Sequence, residues 1–369
     1  MTTGSDDPPT VLDGGLSTAL EQHGVDLGGA LWTARLLGEA PEQLAQAHRA
    51  YVEAGARVVT TASYQASVEG LVAAGYDTIE ARRLITRSVT VAQGVRDELA
   101  DSHPGVLVAA SVGPYGAFLA DGSEYTGRYG VSRTRLRDFH GPRLDLLAAA
   151  GPDLFAVETI PDAEEAEVLV PLLDQLDVPA WFSYSVRGAT TNAGQPLTTA
   201  YAVVAGSRSV VAAGVNCSEQ IDVLGAVRAA VTATGLPAVA YPNRGGSWNS
   251  ETKTWAYAGP LDLDLVEGWV GAGARFIGGC CGTGPSDIAL LAERLRQLRR
   301  RASASHVDGQ PHLDEVAERQ PLRPAYGVLH RHDVPTVTWP QRGREVGLPD
   351  PPPDRDHPPA VGDRGRGLP

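Results

Sequence analysis

The chain alternates short apolar runs with longer segments in which apolar residues recur at helical spacing. Eight of these runs are short, continuous and without polar alternation, which is typical of strands buried on both faces of a parallel sheet. The predicted strands are Thr10 to Leu12, Arg57 to Thr61, Val106 to Val112, Leu154 to Val157, Ala180 to Tyr184, Val210 to Val215, Ala238 to Tyr241 and Arg275 to Ile277.

Segments of helical periodicity separate these strands. They are Pro41 to Ala54, Asp77 to Leu99, Ser132 to Ala149, Asp162 to Leu176, a segment near Ala200, Ile221 to Ala233, Leu261 to Val270 and Pro285 to Arg299. Strict alternation over about 300 residues favours a (β/α)8 TIM barrel over a doubly wound sheet. The sequence therefore predicts one α/β domain with the architecture of a barrel.

The two ends of the chain differ from this pattern. Residues 1–9 are polar and acidic and are predicted to be a flexible N-terminus, and residues 10–300 form the predicted barrel. Residues 301–369 are rich in proline and charge and carry too little apolar surface to offset the entropy of ordering. We expect that tail to be disordered.

Composition restricts the partners and the compartment. The chain is 43% hydrophobic and 20% charged, as in ordinary globular proteins, and its net charge of −13 argues against nucleic acid and anionic lipid. No apolar run is long enough to span a bilayer, and the polar N-terminus does not look like a signal peptide. We expect a cytoplasmic protein with small-molecule partners; the sequence makes no prediction of the oligomeric state.

The three cysteines of the chain follow predicted strands. Cys217 follows the sixth strand, and Cys280 and Cys281 follow the eighth within the stretch Gly278 to Thr283. Because barrel enzymes carry their chemistry at the carboxyl ends of the strands, closure of the barrel would bring these thiols together. Adjacent cysteines bond to each other only with strain, so a metal is the favoured occupant. Plain packing of small cysteines at a barrel end is the alternative.

Three thiolates with one open position fit a catalytic Zn²⁺ ion. Soft sulfur ligands argue against magnesium, calcium and non-haem iron. A zinc ion held by three thiolates is electron-rich and is better suited to a substrate thiol, whose pKa it lowers, than to water. The predicted reaction is the transfer of an electrophilic carbon to sulfur, with the three cysteines acting in catalysis through zinc.

Two carboxylates, Asp13 and Glu158, follow the first and fourth predicted strands. A carboxylate at such a position is costly to bury without a cation, and no lysine or arginine occupies an equivalent strand end before Asn243. An ammonium group on the substrate is therefore the expected counter-ion. The alternatives are a turn residue for Asp13 and a helix N-terminal charge for Glu158.

Further candidates for substrate binding lie beside these groups. Gly14 and Gly15 expose backbone N–H groups that could hold a carboxylate, which together with the ammonium describes an amino acid bearing a thiol. Thr61, Tyr64 and Asn216 are polar residues at the ends of the second and sixth strands. The ring of Tyr64 could pack against a cationic methyl donor.

Several stretches resemble one known family in order over about residues 10 to 298. They are Leu12 to Thr18, Thr60 to Gln65, Gly113 to Gly116, Glu158 to Pro161, Gly214 to Cys217, Tyr241 to Asn243 and Gly278 to Thr283. These stretches resemble the zinc-dependent homocysteine S-methyltransferases, and Ala120 to Tyr125 is similar to the long third loop of the branch that uses S-methylmethionine.

The resemblance implies specific roles. Cys217, Cys280 and Cys281 match the zinc ligands of that family, Asp13 and Glu158 match the groups that hold the homocysteine amine, and Gly14 and Gly15 match the backbone that meets its carboxylate. Arg244 and Gly246 depart from the family, which more often has Ser and Glu there.

The expected function is methyl transfer from S-methylmethionine or a related sulfonium to homocysteine, which gives methionine. One alternative keeps the fold and the zinc site but uses S-adenosylmethionine or betaine as donor, or a selenol as acceptor. An alternative of another class is a non-catalytic protein that binds zinc or thiols.

Overall fold

A computed structural model describes residues 9–27, 32–249, 254–257 and 259–307, and within these ranges it forms the predicted (β/α)8 barrel. The predicted N-terminal segment up to residue 8 and the predicted tail beyond residue 307 lie outside the described residues. Within those same ranges, no helix combines the length and the apolar character that a membrane crossing requires.

The barrel strands are β1 (Thr10–Val11), β2 (Val58–Thr60), β3 (Leu107–Val112), β4 (Leu154–Ile160), β5 (Ala180–Tyr184), β6 (Val210–Asn216), β7 (Ala238–Tyr241) and β8 (Ala274–Ile277). Each strand pairs in parallel with the next, and β8 pairs with β1. A parallel bridge between Leu12 and Val58 joins β1 to β2 and closes the ring. The fold class predicted from the sequence is confirmed.

The helices are α1 (Leu16–Gln22), α2 (Trp32–Glu39), α3 (Pro41–Glu53), α4 (Val68–Ala73), α5 (Thr78–Glu98), α6 (Tyr115–Leu119), α7 (Arg133–Ala149), α8 (Ala163–Leu173), α9 (Leu197–Val204), α10 (Gln220–Thr234), α11 (Asp264–Gly271) and α12 (Pro285–Val307). The short helices α1, α2, α4 and α6 lie in connections where no helix is predicted. Helix α12 continues beyond Arg299, its predicted end.

Local sequence explains where several helices begin. The carboxylate of Asp77 accepts a hydrogen bond from the Glu80 N–H at 2.8 Å and caps α5, and the Ser132 hydroxyl accepts from the Arg135 N–H at 3.1 Å and caps α7. Such caps satisfy N–H groups that have no partner within the helix. Helix boundaries in this chain therefore follow ordinary capping chemistry.

Two short antiparallel ribbons stand apart from the barrel sheet. One pairs Val186–Arg187 with Thr190–Thr191 and follows β5; the other pairs Gly246–Asn249 with Thr254–Tyr257 and follows β7. Neither ribbon is predicted from the apolar pattern, because each of its strands has only two to four residues.

The barrel interior is filled by side chains rather than open. Its cluster is formed by Leu12, Val58, Ala109, Leu154, Ala156, Trp181, Ala212, Val239, Tyr241 and Phe276. Alanines on β3, β4 and β6 leave room for the large ring of Trp181, which is fully buried. This packing closes the interior below the carboxyl ends of the strands, so a ligand cavity can form only above it.

Candidate metal and substrate site

The structure brings the three cysteines together at the carboxyl ends of β6 and β8. Their sulfur atoms all lie within 4.8 Å of one another, and Cys217 Sγ is 3.8 Å from Cys281 Sγ. All three are free thiols. Two thiolate sulfurs on one tetrahedral zinc ion, each at about 2.3 Å, are about 3.8 Å apart. The dimensions of the thiol cluster therefore fit a tetrahedral metal ion.

Backbone hydrogen bonds to the end of β7 fix the paired cysteines. The Cys280 N–H donates to the Pro242 carbonyl at 2.8 Å, and the Cys281 N–H donates to Asn243 Oδ1 at 3.2 Å. Both acceptors follow β7 directly. The loop after β8 is thus held by its neighbouring strand, which orders the ligand atoms before a metal arrives.

Close packing explains the glycines around the cysteines. A Cβ atom on Gly279 would lie 2.2 Å from the Thr283 side chain, and one on Gly15 would lie 2.7 Å from the Cys280 carbonyl oxygen. The Gly279 N–H also donates to the Asp13 carbonyl at 3.1 Å. Only glycine permits the loops after β1 and β8 to approach this closely.

The thiols differ in their acidity. Hydrogen bonds from Cys217 and Cys280 hold the pKa of the Cys281 thiol well below its ordinary range. Hydrogen bonds with Cys280 and Cys281, together with burial, raise the pKa of Cys217. The hydrogen bonds among the three thiols therefore favour the thiolate form of Cys281.

The thiols face one cavity that also receives nearly all of the predicted site residues. Its lining includes Asp13, Gly14, Gly15, Thr61, Tyr64, Glu158, Cys217, Cys280 and Cys281. It also includes Leu16, Ser17, Thr33, Thr60, Ser111, Tyr125, Thr159, Tyr241 and Gly279, for which no site role is predicted. Among the described residues that line it, none is lysine, arginine or histidine.

Asp13 is 4% exposed and lies two residues after the end of β1. The Thr60 N–H donates to its Oδ2 at 2.7 Å, and the Thr60 hydroxyl donates to the same oxygen at 2.9 Å. Burial raises the pKa of Asp13 to about 8, although the Thr60 hydrogen bonds act in the opposite direction. In the described part of the chain no cationic side chain pairs with this carboxyl group.

Glu158 is placed within β4 rather than after it, because the strand continues to Ile160. Its Oε1 accepts a hydrogen bond from the Ser111 hydroxyl, and its Oε2 accepts one from the Tyr241 hydroxyl at 3.1 Å. Burial raises the pKa of Glu158 to about 7, against the effect of the Ser111 hydrogen bond. Its carboxylate form lacks a cation, which a positively charged ligand group would supply.

The backbone of the loop after β1 offers fewer donors than expected. The Gly15 N–H donates to the Thr283 carbonyl at 3.0 Å, and the Tyr51 hydroxyl donates to the Gly15 carbonyl at 2.7 Å. Over the described ranges, no acceptor is found for the Gly14 N–H. Of the two glycines, Gly14 is thus the one with a donor left for a ligand.

Asn216 is fully buried and does not line the cavity. Its Oδ1 accepts hydrogen bonds from the Thr159 N–H at 2.7 Å and from the Ser183 hydroxyl at 2.9 Å. Thr159 and Cys217 both have left-handed backbone conformations, with φ of 61° and 48°. Such conformations in residues other than glycine cost on the order of 1–3 kcal/mol each and concentrate at functional sites.

Two aromatic side chains besides Tyr241 line the cavity. Tyr64 comes from the loop after β2 and Tyr125 from the loop after β3. Burial raises the pKa of both hydroxyl groups well above the ordinary tyrosine value, so both rings stay neutral. Thr61 supports this wall, because its hydroxyl lies 2.6 Å from that of Ser63.

Three of the cavity residues that were not predicted are polar residues inside predicted strands, whereas the prediction considered mainly residues that follow a strand. Ser111 is a polar residue near the end of the apolar run Val106 to Val112, and Tyr241 begins the stretch Tyr-Pro-Asn. A polar side chain inside a barrel strand near its carboxyl end points to the cavity wall. Thr60 has the same position on β2.

Chemically, the cavity combines three thiols with two buried carboxyl groups and three tyrosine rings. Three thiolates suit a metal that binds another sulfur. The carboxyl groups favour an ammonium or another cation, and the rings favour a cationic group that is weakly hydrated. The arrangement is therefore suited to a thiol-containing amino acid and a positively charged co-substrate.

Known proteins match the chain over this same region. The family model for homocysteine S-methyltransferase matches residues 10–295. Homocysteine S-methyltransferase 4 from Zea mays is 43% identical over 305 residues, which cover 78% of this chain and 89% of that protein. Selenocysteine Se-methyltransferase from Brassica oleracea var. italica is 38% identical over 315 residues, which cover 80% of this chain and 91% of that protein.

A solved structure agrees with the sequence matches. The homocysteine methyltransferase MmuM from Escherichia coli, in a metallated form, superposes with a TM-score of 0.71 at 41% identity, covering 78% of this chain and 96% of that one. The family expected from the sequence motifs is confirmed. The chain belongs to the homocysteine S-methyltransferase family and is an enzyme of the methyltransferase class.

Proposed function

We propose that this enzyme transfers a methyl group from a sulfonium donor, S-methylmethionine in the first place, to the thiol of homocysteine and so forms methionine. One observation carries the proposal. Three converging thiols and two buried carboxyl groups face the same cavity. In the part of the chain that the structure describes, no lysine, arginine or histidine lines this cavity. A thiol-bearing amino acid satisfies both sets of groups at once.

Cys217, Cys280 and Cys281 are the proposed ligands of one Zn²⁺ ion. The sulfur separations suit a tetrahedral ion, and the E. coli relative has a metallated form. When bound, zinc would supply a cation that lowers the pKa of the acceptor thiol, so that a thiolate is available near neutral pH. The three free thiols also favour a reducing compartment, and we place the enzyme in the cytoplasm.

The remaining groups hold the acceptor. Glu158 and Asp13 bind the homocysteine ammonium, which supplies the cation that both buried carboxyl groups lack. The Gly14 N–H binds the carboxylate. These contacts orient the sulfur toward the thiol cluster, and fixed orientation is a large part of the rate gain in a displacement between two bound reactants.

The donor occupies the side of the cavity formed by Tyr64 and Tyr125. Aromatic faces attract weakly hydrated cations such as a sulfonium. In the reaction, the homocysteine sulfur forms a bond to the methyl carbon as the bond from that carbon to the donor sulfur breaks. The donor leaves as a neutral thioether, and the acceptor proton passes to solvent before the transfer. No general base is required at the reacting carbon.

A selenol acceptor is the second candidate. The Brassica relative is a selenocysteine Se-methyltransferase at 38% identity, and selenium is at least as soft a ligand as sulfur. S-adenosylmethionine and betaine remain alternative donors. Of the two positions that depart from the family, Arg244 adjoins the thiol cluster, because its N–H donates to the Cys281 carbonyl at 2.9 Å. A non-catalytic zinc- or thiol-binding protein is the alternative of another class.

The decisive experiment measures methylated product from homocysteine and from selenocysteine with S-methylmethionine, S-adenosylmethionine and betaine in parallel, using zinc-loaded protein. We expect methionine from homocysteine with S-methylmethionine as the best pair. The Cys217→Ser variant, treated identically, is the control and should lose turnover. Absence of product with every pair, or turnover that survives in Cys217→Ser, contradicts the proposal.

A further inference from the structure

Glu158 and Thr159 are consecutive residues of β4, yet both line the cavity. In a regular strand, successive side chains point to opposite faces. Here the pairing of β4 with β5 shifts register between Val157 and Ile160, and Thr159 has φ of 61°. The left-handed residue therefore allows two neighbouring side chains to face the same cavity.

Threonine is poorly suited to this conformation by itself. Its branched Cβ crowds the backbone at positive φ, which is why such residues rarely adopt it. Asn216 supplies the missing restraint through two hydrogen bonds. Its Oδ1 accepts from the Thr159 N–H at 2.7 Å, and its Nδ2 donates to Thr159 Oγ1 at 2.8 Å. Both polar ends of one buried amide are thus bound to one residue.

The same amide is connected to the Glu158 carboxyl group. Ser183 Oγ on β5 lies 2.9 Å from Asn216 Oδ1 and 2.9 Å from the Tyr241 hydroxyl. The Tyr241 hydroxyl in turn donates to Glu158 Oε2 at 3.1 Å. The network extends over β4, β5, β6 and β7, so it connects β4 to β6 and β7, with which β4 is not paired in the sheet.

Asn216 also precedes Cys217 directly, and Cys217, like Thr159, is a cavity-lining residue with a left-handed backbone conformation, with φ of 48°. One fully buried residue is therefore bonded through its side chain to the β4 bend and through its backbone to a cysteine of the thiol cluster. Within the described residues, no other side chain bonds to both polar groups of Thr159 in this way.

We propose that Asn216 is a positioning residue that holds Thr159 in its left-handed conformation and thereby aims Glu158 at the acceptor beside the thiol cluster. Asn216 touches neither substrate. The part of this proposal that concerns the acceptor rests on the proposed function; the part that concerns the conformation of Thr159 does not.

The test compares glycine with alanine at position 159. Asn216→Ala is expected to raise the KM for homocysteine by about tenfold or more, as for the loss of two buried hydrogen bonds, with a smaller change in kcat. Adding Thr159→Gly to Asn216→Ala should recover most of that loss, because glycine accepts positive φ without a restraint. Adding Thr159→Ala, which also lacks the hydroxyl, should recover none of it.

Thermal unfolding of the same zinc-loaded proteins gives a readout without turnover. The midpoint should fall in Asn216→Ala, rise again with Thr159→Gly and stay low with Thr159→Ala. The matched control is Asn192→Ala, which removes an amide bonded to Ser185 outside the cavity, and its KM should stay within about twofold of wild type.

Two results overturn the proposal: an Asn216→Ala enzyme whose KM and unfolding midpoint match wild type, or identical behaviour of glycine and alanine at position 159. If Asn216→Ala does not fold, Asn216→Asp takes its place, since aspartate keeps the acceptor for the Thr159 N–H but cannot donate to Oγ1. If wild type itself does not bind homocysteine, the proposed function fails, while the unfolding series still decides the role of Asn216.

Discussion

Cys217 Sγ and Cys281 Sγ lie 3.8 Å apart although 64 residues separate them in the chain. The distance is far too long for a disulfide, which requires about 2.05 Å, and it matches two sulfurs on one tetrahedral ion. Barrel closure produces this relationship, because Cys217 follows β6 and Cys281 follows β8, on either side of β7. The candidate metal site is thus a product of the fold rather than of one local motif.

Each cysteine is therefore expected to be necessary for metal binding. Cys217→Ser, Cys280→Ser and Cys281→Ser should each reduce the zinc content from about one ion per chain to near zero after dialysis against a chelator. Elemental analysis of the dialysed protein measures this. The control is Ser17→Ala, which changes the same cavity without removing a thiol and should retain its zinc. Zinc retained in any of the serine variants contradicts the ligand assignment.

The hydroxyl of Tyr241 is expected to matter for acceptor binding. Tyr241→Phe removes the donor to Glu158 Oε2 and leaves the buried Trp181 Nε1–H without its acceptor. The KM for homocysteine should rise about fivefold to tenfold, and the free energy of unfolding should fall by about 1–3 kcal/mol. Steady-state kinetics and denaturant unfolding measure the two effects separately.

Tyr201→Phe is the matched control for this prediction. Its buried hydroxyl donates to the Gly214 carbonyl at 2.8 Å and lies outside the cavity. Stability should fall by a similar amount, but the KM for homocysteine should not change. Equal kinetics in both variants would show that the Tyr241 hydroxyl acts only on stability.

Much of the fold could be predicted because two periodicities alternate along the chain. Buried parallel strands carry continuous apolar runs, as in β4, where Leu154 to Val157 are all apolar and every residue to Ile160 is buried. Because the functional residues of a barrel lie at the carboxyl ends of its strands, Asp13, Tyr64 and the cysteines could be assigned to one cavity from the strand order alone. Those parts of the site depend only on topology.

The other features of the site depend on local backbone geometry, which the pattern of apolar and polar residues does not predict. Glu158 and Asn216 are both predicted as strand-end residues, but Glu158 lines the cavity, whereas Asn216 is fully buried and bonded to Thr159 and Ser183. The Gly15 N–H donates to the Thr283 carbonyl, and this hydrogen bond depends on how the loops after β1 and β8 pack against each other. Short helices such as α6 are not predicted from the sequence, because five residues are too few to show a helical repeat of apolar positions.

The aromatic ring of Tyr125 is expected to contribute to binding of the methyl donor. Tyr125→Leu should raise the KM for a sulfonium donor by about 2- to 30-fold, the equivalent of about 0.5–2 kcal/mol of cation–π attraction. Tyr125→Phe keeps the ring and should stay close to wild type. Within each variant, the KM for homocysteine is the internal control and should hold constant. Equal donor KM values for leucine and phenylalanine would rule out a role for the ring.

The raised pKa of Glu158 predicts a pH-dependent gain in stability when its charge is removed. The folded protein favours the protonated carboxyl group, with a pKa raised from 4.5 to about 7 by burial. This contribution to the free energy of unfolding is complete below pH 4.5 and is lost as pH rises through about 7. At about 1.4 kcal/mol per pH unit, the full loss is on the order of 3 kcal/mol.

The glutamine of Glu158→Gln cannot ionise, so the free energy of unfolding of this variant should not fall for this reason as the pH rises. Measured by calorimetry on zinc-loaded protein without homocysteine, its unfolding temperature should match wild type near pH 5 and exceed it by on the order of 5 °C near pH 8. Its activity should fall sharply, because an amide cannot attract the acceptor ammonium as a carboxylate does. Glu219→Gln, at an exposed carboxyl group, is the control and should follow the wild-type pH profile. A Glu158→Gln protein that is no more stable than wild type at pH 8 would mean that the buried carboxylate is already compensated, and the ammonium-binding role would lose its physical basis.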